Sequence, residues 1–168
     1  IAISTAMQLK EKFRNKKILV IEKEKQLASH QTGHNSGVIH AGVYYHPGSL
    51  KAKFCKLGVE QIVNFCTKHQ LPFEQCGKLI VATTPQEVER MKNLYERCKK
   101  NGLKPKMLNK KEFNTIEPNI SGLGAIQVHE TGIVDYIAMA DTMAKEYNTM
   151  RGKIQLNSEV EYLSLIHI

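Results

Sequence analysis

At 168 residues the chain is long enough for one ordinary domain with a sizeable core, and its aliphatic content without low-complexity tracts excludes a disordered protein. The 24 Lys and Arg against 16 Asp and Glu give a formal charge of +8, which favours anionic partners such as phosphates, dicarboxylates or acidic lipid. The basic residues are scattered and no RNA-recognition signature or Cys/His finger accompanies them, so a solvated basic surface is expected and nucleic-acid binding is not. Cys55, Cys66, Cys76 and Cys98 form no C-x-x-C pair, which reads as buried free thiols in a reducing compartment, with disulfides the minor alternative, and speaks against a zinc site. No apolar run reaches the roughly 18 residues of a membrane-spanning helix.

The chain opens in a helix, since Ala2, Ala6, Leu9 and Phe13 recur at helical spacing. No N-cap precedes it, and no signal or transit segment or initiating Met is present, so the chain reads as cut from a longer one. Lys17 to Glu22 is an apolar run ending in an acid, the pattern of a buried parallel strand. A polar, glycine-rich loop follows from Ser29 to Gly48, and loops of that length in compact domains are usually functional. Ser49 can cap a helix whose face is Phe54, Leu57, Ile62, Phe65 and Cys66. Lys78 to Thr83 is strand-like. Thr84-Pro85-Gln86-Glu87 is a capping box with Pro at the first helical position, opening a helix with Val88, Met91, Leu94, Tyr95 and Cys98 on one side that stops at Asn101-Gly102. A shorter helix spans Lys110 to Ile116. Ala125 to Val128 and Gly132 to Val134 read as strands, Asp135 caps a helix through Tyr147, and Ile154 to Leu156 and Val160 to Leu163 read as short strands. The alternation makes the chain α/β or α+β.

A helix followed by an apolar strand ending in an acid matches the second half of a βαβ dinucleotide-binding unit. A carboxylate placed there can accept hydrogen bonds from both hydroxyls of an adenosine ribose, and Glu22 is that acid; a strand ending in a charge is also common without any ligand. The run His30-Gln31-Thr32-Gly33-His34-Asn35-Ser36-Gly37-Val38-Ile39-His40-Ala41-Gly42-Val43-Tyr44-Tyr45 holds three glycines among short polar side chains. Such a run offers backbone N–H groups to an anion or a ring. It also gathers His34, His40 and His46, the side chain suited to proton transfer near neutral pH, although a structural hydrogen-bonding role suits at least two of the three.

That run, continued by Pro47-Gly48-Ser49-Leu50-Lys51-Ala52, by Gln75 to Ala82 and by Thr131 to Tyr136, closely resembles the L-2-hydroxyglutarate dehydrogenases of the D-amino-acid oxidase superfamily. The resemblance covers Ile1 to Leu163. It implies an α/β fold in which a partial FAD-binding, Rossmann-like domain is interleaved with part of an α+β substrate domain: residues 1–71 in the FAD domain, 72–132 in the substrate domain, 133–168 returning to the FAD domain. The family's three-glycine turn falls before Ile1, which implies an internal piece unable to act alone, and Ser164 to Ile168 depart from the family's continuation.

Carried over residue by residue, the resemblance implies that Glu22 binds the adenosine ribose. Thr32, His34, Asn35 and Ser36 line the flavin and pyrophosphate path, and Val160 meets the adenine through its backbone. His40 is the first choice for catalysis, either as the base that takes the substrate's hydroxyl proton or as a hydrogen-bonding group only. Tyr44, Tyr45 and Lys53 are the candidates for holding a small dicarboxylate. The implied reaction is FAD-dependent oxidation of L-2-hydroxyglutarate to 2-oxoglutarate, in the mitochondrion if the source is eukaryotic. The electron acceptor, and any peripheral membrane association, stay open. The alternatives are another FAD oxidoreductase of the superfamily, acting on an amino acid or glycerol 3-phosphate, and a non-catalytic module.

Overall fold

The computed structural model describes residues 1–164, so the expected departure at Leu165 to Ile168 lies outside the described residues. In chain order the first elements are α1 (Ala2–Lys12), β1 (Leu19–Ile21), β2 (Val38–Ile39), α2 (Leu50–Lys68), β3 (Phe73–Glu74), β4 (Lys78–Ala82) and α3 (Pro85–Lys100). They are followed by β5 (Lys106–Asn109), α4 (Lys110–Ile116), β6 (Gly124–Val128), β7 (Gly132–Val134), α5 (Tyr136–Thr149) and β8 (Lys153–Gln155). The chain divides into two compact units, one of Ile1–Ser36 with Asp135 onward and one of Gly37–Val134.

In the first unit β1 and β8 run parallel, Val20 opposite Ile154, each preceded by its helix. Val20, Ala6 and Tyr147 are buried together, with Ile3, Met7, Ile18 and Ile154 packed around them. The Tyr147 hydroxyl donates to the Ile18 carbonyl at 2.8 Å, so this fully buried phenol keeps a partner, and burial pushes its pKa up. This unit differs from expectation in three places. The inward stripe of α1 is Ile3, Ala6, Met7 and Lys10, while Leu9 and Phe13 are exposed. The two stripes share Ala6, and the inner one ends in a lysine whose stem lies in the core while its ammonium donates to the carbonyls of Lys16 at 2.8 Å and Arg14 at 3.2 Å. The β1 strand is buried on one face only: Leu19 and Ile21, pointing opposite to Val20, are exposed. Val160 to Leu163 forms no strand; Val160, Tyr162 and Leu163 are exposed, and alternation without a neighbouring strand to pair with does not hold an extended segment in a sheet.

The second unit holds two antiparallel sheets, β2-β7-β3 and β4-β6-β5. The larger is covered on both faces, so β4 is apolar without a break from Leu79 to Ala82, its successive side chains facing opposite ways. From β4, Ile80 and Ala82 face the core beneath α3, with Met91, Cys98, Ile126 and Val128, whereas Leu79 and Val81 face Phe113 of α4, with Leu108 and Ala125. Phe113 is fully buried, a contribution of roughly 1.5–3 kcal/mol.

The α3 helix begins as read, with the Thr84 hydroxyl accepting from Glu87 N–H and the Glu87 carboxylate accepting from Thr84 N–H. The same carboxylate accepts from the hydroxyl and N–H of Thr83, which holds it below the usual carboxylate range. A second capping box, Asn109 with Glu112, starts α4. Ser49 caps α2, but the helix turns Cys55, Val59, Ile62, Val63 and Cys66 inward and leaves Phe54 and Leu57 exposed. The loop expected from Ser29 to Gly48 contains β2, paired antiparallel with β7, and β3 and β5 are strands the sequence reading does not contain. Of the cysteines, all free, Cys66 and Cys98 are buried, Cys55 is half-buried and Cys76 is exposed, which corrects the reading of four buried thiols. Among the described residues no helix is long and apolar enough to cross a membrane.

Candidate functional site

The candidate residues fall in both units, and each group is built differently. In the first unit the ladder runs past β1: Glu22 N–H donates to the Gln155 carbonyl at 2.9 Å, and the Glu22 carbonyl accepts from Ser158 N–H at 2.9 Å. This pins the backbone of Glu22 at the C-terminal end of the strand. Its carboxylate Oε1 accepts from Glu24 N–H at 3.0 Å and so is held over the first turn of the loop. Two residues on, the Glu24 carboxylate takes a 2.8 Å hydrogen bond from His30 Nε2, with Lys23 Nζ at 3.5 Å. The His30 contact is the main reason the Glu24 pKa lies below its ordinary 4.5.

Thr32, His34, Asn35 and Ser36 are brought together, all exposed, in a turn that closes on itself. Gly33 N–H donates to the His30 carbonyl at 3.0 Å and His34 N–H to Gln31 at 3.4 Å. The Asn35 amide donates to the carbonyls of Gln31 and Thr32, at 3.0 and 2.7 Å. His34 Nδ1 lies 2.9 Å from the His30 carbonyl; a carbonyl can only accept, so Nδ1 is the donor of this bond. Thus His34 and Asn35 use their side chains to shape the turn. Gly33 has no substitute here, because a Cβ would stand 2.2 Å from the Ala28 carbonyl oxygen. Val160 lies exposed in the segment after β8.

In the second unit, Ile39, Ala41 and Val43 are buried while His40, Tyr44 and Tyr45 are exposed. The apolar residues seat the segment and the polar ones stand out of it. Gly42, at φ +83°, makes the reversal between them. Lys78 Nζ lies 4.6 Å from the centre of the Tyr44 ring and Lys51 Nζ 5.9 Å from that of Tyr45, both within cation–π range. Among the described residues these are the cations set on the two tyrosines; Lys53 is exposed on α2 and is not one of them. The arrangement offers an imidazole, two phenols and two ammonium groups on one short segment and its neighbours, a donor set suited to an anionic substrate.

Lys78, Arg97 and Asn101 are not among the residues expected at the site from the sequence. Lys78 carries no signal beyond its charge, and Asn101 is legible only as a helix stop.

A family model described as FAD dependent oxidoreductase matches residues 1–166. The chain belongs to the FAD dependent oxidoreductase family. Among curated proteins, the L-2-hydroxyglutarate dehydrogenase of Escherichia coli O17:K52:H18 is 49% identical over 98% of this chain and 39% of its own length. The bovine protein named L-2-hydroxyglutarate dehydrogenase, mitochondrial, is 46% identical over 87% of this chain and 32% of its own length. Among solved structures, the dithionite-reduced L-alpha-glycerophosphate oxidase of Mycoplasma pneumoniae, with FAD bound, superimposes at a TM-score of 0.84 with 27% identity, covering 95% of this chain and 42% of that one. The resemblance read from the His30 to Tyr45 run and the α/β fold it implies are therefore borne out. The chain spans about 39% of the length of the E. coli relative.

Proposed function

We propose that the protein to which this chain belongs oxidises L-2-hydroxyglutarate to 2-oxoglutarate with FAD. The observation that carries the reading is the 49% identity, over 98% of the chain, to a protein named for that substrate. The residues present fit the cofactor. Glu22 stands half-buried at the end of a parallel strand with its carboxylate held in place, where it would accept from the ribose hydroxyls, and an acid there disfavours a 2′-phosphate. The turn carrying Thr32, His34, Asn35 and Ser36 would line the flavin and pyrophosphate path, and the backbone of Val160 would meet the adenine. The functional division into residues 1–71, 72–132 and 133–168 belongs to the same reading.

When bound, FAD would supply the acceptor for the C2 hydrogen of the substrate, taken as hydride. The hydroxyl proton must leave in the same conversion, and His40 would hold or take it at the hydroxyl oxygen; an exposed imidazole between two buried residues is seated firmly enough for either. Tyr44 and Tyr45 would hold the carboxylates with Lys53, and Lys78 and Lys51, whose ammonium groups lie against the two tyrosine rings, would support them. In a eukaryotic source the protein would reside in the mitochondrion, as the name of the bovine relative states for that protein.

The test is flavin bleaching in the native protein without oxygen, with L-2-hydroxyglutarate, its D enantiomer, glycine and glycerol 3-phosphate offered in turn. Bleaching by the L-hydroxy acid alone is expected. Bleaching by glycine or glycerol 3-phosphate with the hydroxy acid inert would move the protein to another branch of the family.

A further inference from the structure

The segment that carries His40, Tyr44 and Tyr45 is held from a distant part of the chain. At the C-terminal end of α3, the Asn101 side-chain amide nitrogen donates to two carbonyls of that segment, Gly42 at 3.3 Å and Tyr45 at 2.9 Å. One turn earlier on the same helix, the Arg97 guanidinium donates to the Tyr44 carbonyl at 3.3 Å. Gly42 and Tyr45 are also the ends of a tight turn, with Tyr45 N–H donating to the Gly42 carbonyl at 3.2 Å. Asn101 therefore spans the two ends of the reversal that presents the tyrosines and follows His40.

The chemistry of the clamp is that of a donor. Both targets are acceptors, so the position calls for a group with two N–H bonds, which the amide nitrogen of Asn101 supplies. The amide oxygen, Oδ1, is buried with no hydrogen-bond partner among the described residues, so the nitrogen is the end of this side chain that is used. The backbone of Asn101 is at φ −80° and caps α3 through its own N–H, a role any residue can fill. Removing the side chain thus takes away the two long-range bonds and leaves the helix end intact. An aspartate in its place would set a carboxylate against two carbonyl oxygens; protonated, it could donate to one of them.

We propose that Asn101 is a positioning residue that fixes the His40 to Tyr45 segment for the reaction, acting through the carbonyls of Gly42 and Tyr45 and touching no substrate. The catalytic part of this inference rests on the function proposed above; the clamp itself does not. A misplacement on the order of 1 Å by loss of such a support can cost about 100-fold in rate.

The experiment compares wild type, Asn101→Ala and Asn101→Asp in the native protein by two readouts. Amide hydrogen exchange, followed by mass spectrometry, should speed up about tenfold or more in the peptide covering residues 40–46 of Asn101→Ala and stay unchanged in peptides from β4, β5 and β6. Stopped-flow flavin reduction by L-2-hydroxyglutarate should slow about tenfold or more at unchanged flavin content. Asn101→Asp should be slow at neutral pH and recover part of its rate as the pH is lowered, relative to Asn101→Ala, because only the protonated acid can donate. Unchanged exchange in residues 40–46 would overturn the clamp. Faster exchange with wild-type rates, or an Asn101→Asp pH profile parallel to that of Asn101→Ala, would overturn its part in the reaction. A wild type inert towards L-2-hydroxyglutarate would sink the substrate reading alone, and the exchange comparison would then decide the clamp by itself.

Discussion

The two halves of one glycine-rich run, residues 28–36 and 38–46, are held by different means. The first half is tied by bonds that reach three or four residues: Asn35 to Gln31 and Thr32, His34 to His30, Gln31 to His34. The second is seated by buried Ile39, Ala41 and Val43 and held by Arg97 and Asn101, 53 to 59 residues away. Local bonds of this kind survive changes elsewhere in the protein, whereas a segment held at long range takes its geometry from the packing of α3 on its sheet. The half assigned to the cofactor is thus tied largely to its own sequence neighbours, with His30 reaching back to Glu24. The half assigned to the substrate depends on a helix far along the chain.

Gly33→Ala is expected to have the largest effect on stability, since the added Cβ meets a backbone oxygen 2.2 Å away that cannot swing aside. The turn must open, at a cost of about 2–4 kcal/mol in urea unfolding, with flavin lost alongside. Wild-type stability and flavin content in that variant would show that the first half is looser than its hydrogen bonds indicate. Gly42→Ala comes next. It forces a side chain into a left-handed conformation, φ +83°, and brings its Cβ to 3.0 Å from the Cys55 Cβ, together about 1–2 kcal/mol, but the damage should be confined to the second half. Flavin retained with slower reduction is the expected signature, and flavin lost as readily as in Gly33→Ala would erase the distinction between the halves.

The smallest effect is expected at Glu24. Its pKa is depressed by the His30 contact, so the pair contributes stability above the ordinary carboxylate value of 4.5 and loses it as pH falls through the lower folded value. The pair is exposed, and solvent screening keeps its contribution small. Glu24→Gln should therefore lower the melting temperature slightly at about pH 7 and not at all in acid. A deficit that persists in acid would mean that the carboxylate acts through shape rather than charge.

The same contrast explains what the sequence discloses and what it hides. The Thr84–Glu87 box, the Asp135 cap and the stop at Asn101-Gly102 are legible because each is a matter of neighbours within one turn. The strand β1 and the acid at its end are legible as a short apolar run that stops at a charge, although only Val20 of that run is buried. The faces of α1 and α2 are misread because each helix carries two overlapping apolar stripes, and only tertiary packing decides which one turns inward. The short strands β2, β3 and β5 leave little periodicity, and Val160 to Leu163 shows that alternation without a pairing strand is not enough. At the site, Glu22 and His40 stand out by type and place, whereas Lys78, Arg97 and Asn101 gain their meaning from contacts made across dozens of residues.

The most direct test of the division between a cofactor half and a substrate half is the rate of flavin reduction in His40→Asn, measured by stopped flow in the native protein with flavin content quantified on the same sample. His40 lies in the second half, exposed between buried Ile39 and Ala41. The expected result is full flavin occupancy with reduction slowed roughly 100-fold or more. Reduction at the wild-type rate would contradict the account, and loss of the flavin together with the rate would place His40 with the cofactor instead.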